Sequence, residues 1–179
     1  MKSNRCFSLL ELLIVVAIIL IIAAIAVPNL LRAKIAANEA AVVAAQRTIG
    51  TANITYSSTY NVGFAGTLGA LGPPSAGTAF SSDNADLIDS VLAGGVGGTA
   101  ATVIRGGYTF SYAAAPGGAT PTQLVPNETF SVAAVPVSAD SSGTSTFCMD
   151  QTNVILKDTS GTATAGAATG CSGFAGSSM

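Results

Sequence analysis

The chain has no histidine and no tryptophan, and only 9% of its 179 residues are charged. Each shortage excludes a class of function. Without imidazole, neither a Ser-His-Asp nor a Cys-His site can be assembled. Lysine and arginine total 7 and form no run or stripe, so there is no nucleic-acid footprint. Gly94-Gly95-Val96-Gly97-Gly98 has no lysine after it and is no phosphate loop. Zinc would need ligands beyond the cysteines, and no segment brackets two carboxylates as sugar hydrolysis requires. Asp83, Asp86 and Asp89 recur at a spacing that is not that of a calcium loop. No enzyme activity, no cofactor and no metal is expected. A charged share this far below the usual one of about 25% suits a surface that packs against copies of itself, and equally a weakly charged secreted protein without lateral contacts.

What the chain has in excess is apolar residues, 49% of the total, and the densest run is uncharged from Leu12 to Leu31. As a helix this run is about 30 Å long, enough to cross a bilayer core. Glu11 stands at its start. An unpaired carboxylate drawn to a membrane centre costs roughly 2.5–3.5 kcal/mol, and no Lys or Arg beyond Arg5 lies within a turn or two of it. Its counter-charge is therefore expected on another molecule; the alternative is a carboxylate that snorkels to the headgroups from a plain anchor. The run is too long for a cleaved signal peptide and no small-x-small site follows it. Charge alone sets no orientation, because Lys2 and Arg5 are matched by Arg32 and Lys34 beyond the run.

The helix should continue past Leu31. Residues 32–49 are rich in strong helix formers, with Leu31, Ile35, Val42 and Ile49 near one face and Val43 and Ala45 flanking. The end is expected near Tyr56–Tyr60, with Gly50 and the Thr/Asn/Ser-rich stretch weakening the last turns. Pro28 inside the helix lacks an amide hydrogen and crowds the Ala24 carbonyl, a cost of about 3 kcal/mol; a hinge and a tolerated kink both remain open. Residues 61–80 read as a loop with its strongest breaker at 68–74, and Ser81–Leu92 as a short helix with early acids and a closing glycine. Four strands follow: 107–113 with Tyr108, Phe110 and Tyr112 on one face, 129–135, 144–149 and 154–157. Residues 116–127 join the first two as a long hairpin loop, and Asp150–Asn153 is a tight turn. Arg105-Gly106-Gly107 is a turn. The tail from Asp158 is of low complexity, with only Cys171 and Phe174 able to anchor it. The expected class is α+β: a long N-terminal helix, its first half membrane-spanning, packed on a small antiparallel sheet.

Lys2 and Arg5, then Phe7-Ser8-Leu9-Leu10-Glu11, the apolar run and Pro28 together resemble the prepilin signature of type IV pilins and of the pseudopilins of type II secretion. The close likeness covers roughly residues 1–60. It implies a pilin fold divided into a leader (1–6), a long helix (7–58, transmembrane over 12–31) and a globular head (59–179). It further implies that a prepilin peptidase cuts between Cys6 and Phe7 and methylates the Phe7 amine, and that Glu11 attracts the Phe7 ammonium of an incoming subunit. The family nearly always has Gly where Cys6 stands. The implied partners are the chain itself, the peptidase, the pilus or secretion assembly machinery and the inner membrane. The implied path is a single-pass precursor in the cytoplasmic membrane, leader inside, followed by a surface filament for adhesion, twitching or DNA uptake. A pseudopilin or minor pilin of type II secretion, and a membrane-anchored binding module that never polymerises, are the alternatives.

The cysteine count is odd, at three. With Cys6 left in the leader, Cys148 and Cys171 remain outside, where disulfides persist. Many type IV pilins close a C-terminal loop this way, which implies a Cys148–Cys171 bridge; two free thiols are the alternative. Loss of the leader would change the side-chain charge from −2 to −4, because Lys2 and Arg5 leave together.

Overall fold

The structure, a computed structural model, describes residues 9–97, 102–159, 170, 171, 174 and 176–179. It divides into one unit up to Lys34 and a second, Ile35–Met179. One helix, α1 (Leu9–Tyr60), contributes to both and runs through Pro28. After it come α2 (Leu68–Leu71) and six strands: β1 (Thr102–Arg105), β2 (Tyr108–Pro116), β3 (Asn127–Pro136), β4 (Thr146–Asp150), β5 (Ile155–Asp158) and β6 (Ser177–Ser178). The strands form one antiparallel meander in chain order. The fold is pilin-like α+β, a long apolar N-terminal helix packed on an antiparallel sheet.

The second half of α1 covers the sheet with a seven-residue repeat. Val42, Ile49 and Tyr56 are buried, with Ala45 and Ala52 between them. Facing them, alternate residues of each strand enter the core: Tyr108, Phe110 and Tyr112 from β2, Phe130, Val132 and Ala134 from β3, Phe147 and Met149 from β4. Gly50 lets the helix approach closely, because a Cβ there would lie 2.1 Å from Asn153 Oδ1. This glycine is therefore a contact point within the helix, where its sequence suggested weakening. Val43 is only half-buried, while Ala45 is fully buried.

Two local readings are corrected. Leu68–Leu71 is a helical turn, capped by the Thr67 hydroxyl accepting from Ala70 N–H at 3.1 Å. Leu68 and Leu71 are fully buried, and their burial overrides the glycines between and after them. Ser81–Leu92 forms no α-helix. Its amides are spent elsewhere: Ala85, Asp86, Leu87 and Ile88 donate to the carbonyls of Ala70, Gly72 and Leu71. They thereby satisfy carbonyls that the short α2 leaves open. Asp86 sits at φ 54, outside helical geometry. The three aspartates thus share no helical face, and among the described residues no group of three acids or cysteines is placed to hold a metal.

Two strands were not anticipated. β1 precedes the Gly106-Gly107 turn, whose φ values of 59 and 77 suit a tight hairpin. β6 is a two-serine strand with no pattern of its own, paired to Leu156 and Lys157. The Asp150–Asn153 turn forms as read, closed by Asn153 N–H to Asp150 O at 2.9 Å.

Candidate functional site

Glu11 lies in the first turn of α1, where the helix dipole favours an acid. It is exposed, and no ion pair involves it among the described residues. Every large apolar side chain from Leu9 to Leu31 is exposed too, from 43% at Leu31 to 80% at Leu9. An apolar surface of this extent needs lipid or other helices over it. This helix is long and apolar enough to cross a membrane by length and composition. Cys6 and Phe7, the expected cleavage and methylation positions, lie outside the described residues.

In the globular unit several polar groups are paired within the chain. Glu39 accepts from Lys157 Nζ at 3.0 Å and from the Thr144 hydroxyl at 2.9 Å and amide at 3.2 Å. Burial works to raise its carboxyl; the Lys157 and Thr144 hydrogen bonds and the Lys157 charge outweigh that and hold it below its ordinary value. Asp89 behaves alike: burial opposes, but the Leu92 amide, Arg105 and the Val91 amide hold it low. The Asp89–Arg105 pair is about half exposed, so its strength is modest. Deeper in, Asn53 is fully buried, and its Oδ1 accepts from Ala65 N–H and Tyr112 O–H, both at 3.0 Å. Burial pushes the Tyr112 phenol far up. Gln46, also fully buried, donates to Val132 O at 3.2 Å. Cys148 and Cys171 are joined by a disulfide, which ties the C-terminal residues to β4.

A family model described as the prokaryotic N-terminal methylation motif matches residues 1–27. This motif is typical of type IV pilins and pseudopilins. The chain is type IV pilin-like. No curated protein and no solved structure matches it. The match covers Lys2, Arg5, Phe7, Glu11 and the apolar run as far as Val27, and stops one residue short of Pro28. For a pilin-like chain the motif implies processing by a prepilin peptidase and handling by assembly machinery, and with the apolar helix it points to a membrane precursor. Sequence reasoning missed Gln46 and Asn53 as core residues. Their seven-residue separation, in phase with Val42, Ile49 and Tyr56, was the available signal.

Proposed function

We propose that this pilin-like chain is the structural subunit of a type IV pilus. Cleavage between Cys6 and Phe7 frees an amine, which is methylated. The Glu11 carboxylate of one subunit then attracts the Phe7 ammonium of the next. Two such charges about 4 Å apart attract by about 4 kcal/mol at an effective dielectric of 20, against about 1 in water. In a filament core the pair would relieve the isolated carboxylate and set the axial register between subunits. The carrying observation is an acid with no ion pair among the described residues, at the head of a helix segment whose large apolar side chains are all exposed. The bridge-closed, loop-rich globular part supports the reading of an exposed filament subunit over a pseudopilin.

Mass spectrometry of sheared surface fibres tests this. The expected result is this polypeptide as the dominant species, beginning at a methylated Phe7. Glu11→Ala and Glu11→Gln should abolish fibres while the precursor persists in the membrane. Fibres that lack the chain, or that incorporate Glu11→Gln as well as wild type, refute the proposal.

A further inference from the structure

A cavity of about 360 Å³ opens in the globular unit where four loops meet the end of α1. Its wall carries Thr67, Asp83, Asn84, Thr120 and Thr122 beside the ring of Tyr56. The bonding of these groups is partly spent and partly free. Tyr56 O–H donates to Ser82 O at 2.6 Å, which fixes the ring. Asn84 Nδ2 donates to Gly69 O at 3.2 Å and leaves its Oδ1 as an acceptor. The Thr67 and Thr122 hydroxyl oxygens accept from Ala70 and Val125 amides at 3.1 Å, leaving their protons to donate. The Asp83 carboxylate makes no hydrogen bond or ion pair among the described residues, although its own amide is held by Ser81 Oγ at 3.2 Å.

We infer that this cavity binds an uncharged sugar, with the Asp83 carboxylate accepting from adjacent ring hydroxyls. The size falls within the range of small-molecule sites, about 300–1,000 Å³. Hydroxyl donors, an amide acceptor and one carboxylate match a ligand that offers both donors and acceptors at each carbon. Tyr56 and Ala70, both buried, close the floor of the cavity, and Pro121 supplies apolar wall at its side for the C–H face of a pyranose. The lining holds no Lys or Arg, so an anionic ligand would meet Asp83 without compensation. That selects neutral hexoses over uronates and sialic acids.

The experiment is saturation-transfer NMR on the full chain, unassembled, in a zwitterionic detergent without sugar headgroups. The probes are glucose, galactose, mannose and their disaccharides, with glucuronate and sialic acid as anionic counterparts. At least one neutral sugar should show transfer and neither anionic one should. Asp83→Asn and Thr122→Val, both on exposed loop positions, should each weaken binding about tenfold with an unchanged melting profile. Absence of transfer from every neutral sugar, equal transfer from the anions, or full binding by Asp83→Asn overturns the inference. Binding here does not depend on polymerisation, so loss of one reading leaves the other standing.

Discussion

Removing the Asn53 side chain should destabilise the globular unit more than any other single polar deletion on α1. Asn53→Ala deletes the acceptor for the Ala65 amide, and Ala65 is itself fully buried. An orphaned buried donor costs about 1–3 kcal/mol, and the small void left behind adds about 1 kcal/mol. The Tyr112 hydroxyl is not stranded, because it also reaches Ala65 O at 2.8 Å. The expected total is therefore about 2–4 kcal/mol. Tyr112→Phe removes a donor but leaves Asn53 Oδ1 bonded to Ala65 N–H, so it should cost only about 1 kcal/mol. The double variant should fall short of the sum, since the two groups share one network. With about 2–4 °C of melting shift per kcal/mol for a unit of this size, Asn53→Ala should melt about 5–15 °C lower. Near-ultraviolet circular dichroism of the full chain in detergent follows the buried tyrosines and ignores the apolar segment. A shift below about 2 °C for Asn53→Ala, or a larger loss for Tyr112→Phe, refutes the reasoning.

Replacing both Cys148 and Cys171 by alanine frees a loop with a sequence separation of 23; in the chain-entropy picture this costs about 3.5 kcal/mol, read as a lower denaturant midpoint that reductant reproduces in the wild type. An unmoved midpoint contradicts it. Acid should also weaken the fold. The Glu39 and Asp89 carboxyls titrate lower folded than unfolded, so the unfolded chain binds more protons in the intervening window and stability falls with pH there. Denaturation midpoints should hold from about pH 7 to pH 5 and drop as pH falls through about 4 and below. Glu39→Gln should flatten part of that drop, and an unchanged slope counts against the Glu39–Lys157 pair.

The readable parts of this chain were those where one physical signal dominated. An uncharged run admits few structures, so the apolar helix segment was plain. Alternation at Tyr108, Phe110 and Tyr112 placed β2 in its correct orientation, and all three are buried. Asp150–Asn153 announced its turn by composition. The failures came where local preference yielded to contacts distant in sequence. Ser81–Leu92 has caps and acids fit for a helix, yet its amides are taken by α2. Leu68–Leu71 holds one glycine and is followed by another, fit for a loop, yet its two leucines draw it into the core. β6 exists because Lys157 and Leu156 offer an edge, which no reading of Ser177-Ser178 alone could show.

Polar residues on α1 separate into two kinds, and the separation bears on function. An alanine-rich helix face could slide or rotate on a sheet with little change in apolar contact. Gln46 and Asn53 remove that freedom, because their bonds to Val132, Ala65 and Tyr112 exist in one register only. Buried polar groups used this way give specificity more than stability. Glu11 is the opposite case: it stands among exposed leucines with no ion pair supplied by the described residues of its own chain. The same physics that gives Asn53 partners inside the chain, the high cost of an unpaired polar group away from water, applies to Glu11 once lipid or other helices cover its surroundings. On α1, Asn53 is bonded within the chain, whereas Glu11 has no ion pair among the described residues; that contrast is the basis on which a second copy is proposed as its partner.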